Sequence, residues 1–183
     1  IPNIPKTATT IKISNPNIKP IVILKPNVNV EKLKNGYPWV YDSDIQKISE
    51  LTQYEKGTLV EVHSDANESI GVGYLNRSAS IVVRLMERDG KKIDEALIGQ
   101  RVRAAIRKRI PDAASSTAKK NSYECGRLIS GEADLLPGIF VDKYCTSLVV
   151  RIDALGASCL EEALFFELEK MLKPKVICVH KMQ

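Results

Sequence analysis

From residue 21 to residue 87 the chain is a series of short apolar runs separated by turn residues, with gaps that fit hairpins and leave no room for crossover helices. Thr58-Leu-Val-Glu-Val-His63 alternates apolar and polar, residues 64–69 form a polar turn cluster, and Ile70-Gly-Val-Gly-Tyr74 and Ile81-Val-Val-Arg-Leu85 supply two further strands. Alternation at period two marks strands that bury one face. The pattern predicts a small β-rich barrel rather than a helical bundle. Gly71 and Gly73 inside one strand predict a bulge or a tight bend at a barrel corner.

Composition then shifts. Residues 88–92 form a charged linker, after which Asp94 can cap a helix whose Ile98, Val102, Ala105 and Ile106 follow helical spacing until Pro111 stops it. Residues 112–122, rich in Ala, Ser, Thr and Lys, read as a flexible connection. The remainder reads strand, strand, strand, helix, strand, with the helix expected to start in a Ser158–Glu161 capping box and to end before Pro174. The fold class predicted is mixed α and β: an extended arm over residues 1–20, a barrel over 21–90, a linker with a basic helix over 91–122, and a small α+β unit over 123–183.

With 44% hydrophobic and 27% charged residues, the 183-residue chain has the makeup of an ordinary soluble globular protein. No apolar run reaches the roughly 18 to 20 residues of a spanning helix. A net charge of +5 favours polyanions such as RNA only slightly. The cysteines Cys125, Cys145, Cys159 and Cys178 stand too far apart for a zinc knuckle and read as buried free thiols in a reducing compartment, and no metal site is expected. The arm carries Lys6, Lys12 and Lys19 and no acidic residue, and compartment stays open between cytoplasm and organelle.

Three ordered stretches carry more specific information: Leu24-Lys-Pro26 with Gly36-Tyr-Pro-Trp-Val-Tyr41, then Gly57-Thr-Leu-Val-Glu-Val62 through Gly71-Val-Gly-Tyr-Leu-Asn76 to Ile81-Val-Val-Arg84, then Arg127-Leu-Ile-Ser-Gly-Glu-Ala-Asp134 with Leu136-Pro-Gly-Ile-Phe-Val-Asp-Lys-Tyr144. Together they resemble the SAM-dependent large-subunit rRNA cytosine-C5 methyltransferases. The chain departs from that family at Arg77 and Ala79, where Pro and Ser are usual, at Leu135 for a Gly, and in Asp42-Ser-Asp44. The resemblance implies a PUA domain and a small α+β domain ahead of a Rossmann-like catalytic domain that uses S-adenosyl-L-methionine. It also implies rRNA as partner and catalysis by a cysteine that adds to cytosine. None of that machinery can be placed on these residues. The expectation is an RNA-binding front portion, inactive alone, with no catalytic, cofactor-binding or metal residue of its own. A stand-alone RNA-binding adaptor and a module for protein contact or homodimerisation remain the alternatives.

Candidate RNA contacts are Lys25, Lys32, Lys34, Trp39, Tyr74, Asn76, Arg77 and Arg84. Trp39 beside lysines can stack on an unpaired base, or it can pack under the barrel as single large aromatics usually do. Tyr74, Asn76, Arg77 and Arg84 fall at or after strand ends, where they could meet backbone or base edges or simply face solvent. Arg101, Arg103, Arg107, Lys108 and Arg109 lie on both flanks of their helix's apolar stripe and read mainly as a solvated helix. Arg127, Glu132, Asp134 and Asp142 are expected to be structural or domain-docking residues rather than an acid–base pair.

Overall fold

The computed structural model describes residues 19–77, 79–88, 90–110 and 124–181. The expected arm before residue 19, with Lys6 and Lys12, and the expected connection at 112–122 lie outside the described residues.

The first sheet is built from β1 (Ile21–Ile23), β2 (Trp39–Tyr41), β3 (Leu59–His63), β4 (Ser69–Leu75) and β5 (Ile81–Glu87), in the order β1-β3-β4-β5-β2. β3, β4, β5 and β2 pair antiparallel, whereas β1 runs parallel to β3, and a Leu24–Ile45 bridge brings the β1 end to the segment after β2, so the sheet curls on itself. A short helix, α1 (Val30–Lys34), is capped by the Asn29 side chain, which accepts from the Lys32 N–H. The two strand glycines act as anticipated. A Cβ on Gly73 would stand 2.2 Å from the Arg84 carbonyl oxygen and one on Gly71 2.5 Å from that of Glu87, and the β4–β5 register shifts between Val72 and Gly73.

The second sheet orders β6 (Cys125–Ser130), β7 (Ile139–Tyr144), β8 (Ser147–Ile152) and β9 (Val176–Lys181) in sequence. β8 and β9 are parallel and joined through α3 (Glu161–Leu172). The helix between the sheets, α2 (Glu95–Arg109), starts at Asp94, whose carboxylate accepts from the Leu97 N–H at 3.0 Å, as its sequence predicts. The start of α3 differs from expectation. The chain enters it through a 3-10 stretch, Leu155–Leu160, and the N-cap is Leu160, which makes no side-chain cap, so Ser158 does not open the α-helix.

Two apolar cores result. One fills the barrel around Val22, Leu24, Val40, Val60 and Val83. The other joins one face of the second sheet to α2 and α3 and takes in Tyr74 and Met86 from the barrel strands. Barrel residues thus complete the core of the second sheet. Cys125, Cys145 and Cys178 are exposed free thiols, which corrects the buried reading, because strand ends and the outer strand β9 leave them uncovered; the Cys159 side chain is outside the described residues. No helix among the described residues is long and apolar enough to cross a membrane.

Candidate nucleic-acid interface

β2 is too short to bury all its side chains: Val40 points into the barrel and its neighbours Trp39 and Tyr41 point out, half-buried. α1 delivers Lys32 to the same place. Its ammonium lies 3.6 Å from the centre of the Tyr37 ring, Tyr37 meets Trp39 edge to face at 5.6 Å, and the Tyr37 and Tyr41 hydroxyls are 3.0 Å apart. The hydrogen bond with Tyr37, then burial, raises the Tyr41 hydroxyl above its ordinary pKa. Lys25 borders this group, donating to the Ser43 carbonyl at 2.7 Å in the turn whose Asp44 carboxylate accepts from the Tyr41 N–H.

The cluster is braced from the second sheet. The Trp39 indole N–H donates to Glu132 at 3.0 Å, and Arg84, directly opposite Trp39 in the β2–β5 register, reaches the same carboxylate at 3.8 Å. Trp39 is therefore neither a barrel-core residue nor a loose surface ring. One edge is anchored at the seam between the two sheets while the residue stays partly open.

The remaining candidates are dispersed. Tyr74 and Asn76 are buried, contrary to an RNA-contacting role: the Tyr74 hydroxyl donates to the Pro137 carbonyl at 2.9 Å, and Asn76 sits where the β4–β5 turn closes on the Val82 carbonyl. Lys34 pairs with Glu68 at 3.5 Å and Glu31 at 3.9 Å. Arg77 donates to the Thr52 carbonyl. Arg127 pairs with Asp142 on the second sheet. Asp134 is buried and receives Arg109 at 2.9 Å, Lys108 at 3.7 Å and the Ser130 N–H at 2.7 Å. Burial opposes its charge, but these hydrogen bonds and cations outweigh burial and hold its carboxyl below the usual aspartate range.

Sequence reasoning missed Arg101. It is buried at the seam and donates to the Leu135 carbonyl at 2.9 Å, the Met86 carbonyl at 2.7 Å and the Glu87 carboxylate at 3.0 Å, linking α2 to both sheets. Burial, only partly offset by Glu87, lowers the pKa of its guanidinium. Its flank position on α2 gave one usable signal: it directly precedes Val102 in the apolar stripe.

The resemblance implies SAM for the family, and folds of that kind hold such cofactors at a strand-to-helix turn in a parallel unit. Among the described residues that unit is β8–α3–β9, and its turn is occupied by protein. A Cβ on Gly156 would lie 2.3 Å from the Tyr74 ring, and Gly57 packs against the Gly156 backbone. The residues present do not fit a SAM cradle there.

A family model described as a PUA-like domain matches residues 22–88. The ribosomal RNA large subunit methyltransferase I of Alteromonas mediterranea is 27% identical over 154 residues, 82% of this chain and 36% of that protein. Its counterpart from Photobacterium profundum is 30% identical over 135 residues, 73% of this chain and 32% of that protein. The ribosomal RNA large subunit methyltransferase of Deinococcus radiodurans is 26% identical over 121 residues, 66% of this chain and 29% of that protein. A solved protein assigned as a SAM-dependent methyltransferase, from Streptococcus mutans, superposes with a TM-score of 0.67 over 87% of this chain and 40% of its own at 15% identity, a likeness of fold alone. The chain spans about a third of the length of the curated relatives it matches. With a PUA-like domain over residues 22–88 and these relatives matching over most of its length, the chain is a PUA-bearing relative of the ribosomal RNA large subunit methyltransferases.

Proposed function

We propose that this chain is the RNA-binding portion of a SAM-dependent rRNA methyltransferase, with cytosine C5 as the target of the longer protein and no methyl transfer by the 183 residues alone. The observation that carries the RNA reading is the Lys32–Tyr37–Trp39–Tyr41 cluster with Arg84 behind it. It combines ring faces for unpaired bases, a cation for phosphate and a neutral phenol for hydrogen bonding. In this reading the barrel over residues 21–90 meets RNA, and residues 91–183 hold Trp39 and Arg84 in place through Glu132. Arg127, Asp134 and Asp142 then serve structure and docking.

Binding to a labelled rRNA fragment, titrated at several salt concentrations, tests the first part. The expected log–log plot has a clear negative slope, since each neutralised phosphate contributes roughly 0.7 to 0.9 to it, and Lys32→Ala lowers the slope by about one contact. A flat plot would sink the RNA reading. Tritiated SAM with the same RNA tests the second part, and incorporation above a no-protein blank would overturn the claim that this chain alone is inactive.

A further inference from the structure

Among the described residues, the second sheet has helices on one face only. Leu128, Val141 and Val150 point into the core shared with α2 and α3, and the alternating residues point the other way. The strand register assembles that second face in rows. Arg127 stands opposite Asp142; Phe140 stands opposite Arg151, which stands opposite His180; Tyr144 ends β7. No residue of these rows is buried, and Tyr144 is 54% exposed.

The chemistry of this face is specific. The guanidinium of Arg151 lies 4.6 Å from the centre of the Phe140 ring and that of Arg127 5.3 Å, so three flat groups gather on one patch. Each arginine has an aspartate partner, Asp142 or Asp153. In both pairs the arginine is the more exposed member, with side chains 40% and 46% exposed against 25% and 27% for the aspartates. On this face the cations are therefore more accessible than their carboxylate partners. Exposed pairs of this kind contribute little to stability, so trading the aspartate for a phosphate costs the fold little.

The patch is also continuous with the barrel cluster. A Cβ on Gly131 would lie 3.0 Å from the tip of the Phe140 ring, and the next residue, Glu132, holds Trp39. Ring and charge thus run from Tyr37 and Trp39 across the seam to Phe140, and along β7 to Tyr144, about 13 Å further at strand spacing.

We propose that the open face of the β6–β9 sheet binds an unpaired stretch of RNA, with a base stacking on Tyr144, another on the Arg127–Phe140–Arg151 platform, and phosphates meeting the two arginines. A four-stranded sheet with aromatics on its free face is a known physical solution for single-stranded RNA, since every base offers a π-face and strands cannot read an A-form major groove. This proposal rests on the RNA-binding reading above and extends it from the barrel to the second sheet.

The test uses the full chain and fluorescein-labelled single-stranded RNA drawn from rRNA, read by fluorescence polarisation, with the same sequence as a duplex for comparison. Tyr144→Ala and Arg151→Ala are each expected to weaken single-strand binding about tenfold, the effect of one lost stack, with Tyr144→Phe restoring it. Circular dichroism and thermal melting establish that the variants fold. If the wild-type chain binds and Lys32→Ala weakens it, while the Tyr144 and Arg151 variants bind like wild type, the sheet-face proposal is overturned and the barrel reading stands. If the wild-type chain binds no RNA, both fall. Duplex binding equal to single-strand binding overturns the unpaired-RNA assignment. A concentration-dependent dimer abolished by Tyr144→Ala, with RNA affinity unchanged, gives the face to a second copy instead.

Discussion

At the scale of single residues, Asp134 shows how a buried carboxylate within a sequence motif is kept charged. Its side chain is almost fully buried, yet it stays charged because Arg109, Lys108 and the Ser130 N–H converge on it. A folded-state pKa held below the unfolded value contributes stability that is present above the unfolded value of about 3.9 and is lost as pH falls through the folded one. The wild-type thermal midpoint is therefore expected to drop on acidification below the ordinary aspartate range. In Asp134→Asn this part of the acid limb should be missing, at a cost near neutrality on the order of 2 kcal/mol, reduced from a fully buried pair because Arg109 is partly exposed. A melting series across acid pH on both proteins checks this, and parallel curves would refute it. The sequence leads to an expectation of a structural or docking role for Asp134 but gives no sight of these partners. Both cations come from the end of α2, and no local spacing links residues 108 and 109 to residue 134.

At the scale of elements, the legible features were those set by short-range rules. The strand alternation around residues 58–63, the glycine-driven close approach in β4 and the Asp94 cap all follow from neighbouring residues, and the structure has each of them. Two expectations failed where packing decided. Tyr74, polar-tipped and at a strand end, reads as a surface contact, but its ring fits over Gly156, leaving the hydroxyl within reach of Pro137. The start of α3 moved from Ser158 to Leu160 because residues 155–160 take a 3-10 path beneath β4. Gly156 is the position through which these two facts meet. Gly156→Ala would place a methyl 2.3 Å from the Tyr74 ring and 3.0 Å from the Leu75 carbonyl, so a loss of about 2 kcal/mol in denaturant unfolding is expected. Adding Tyr74→Leu to that variant should cost less than the sum of the two single changes, as coupled neighbours do. Strict additivity would mean that the ring does not sit on the turn.

At the scale of the whole molecule, the question is whether the two sheets behave as one body. The second core borrows Tyr74 and Met86 from the barrel, Glu132 takes the Trp39 N–H, and Arg101 ties α2 to Met86, Glu87 and Leu135. Reading α2 as a solvated basic helix overlooked this, since charge pattern gives no hint that one of its arginines has buried acceptors waiting on two other elements. The same seam connects the two proposed RNA-contacting patches, so its rigidity bears on function. Arg101→Met keeps the aliphatic packing but removes the guanidinium that meets the buried Glu87 carboxylate and the Met86 and Leu135 carbonyls, and breaking a buried pair from one side typically costs about 3 to 5 kcal/mol. Most of that loss should fall on the junction rather than on either core. Wild type is then expected to unfold in a single calorimetric transition whose measured and van't Hoff enthalpies agree, whereas Arg101→Met should show a broadened or split transition. In the variant, RNA affinity should also fall although no RNA-facing side chain has changed, because Trp39 and Phe140 no longer share a fixed frame. A variant that melts sharply at a lower temperature and binds RNA as wild type does would show instead that Arg101 supports overall stability without setting the relation between the two sheets.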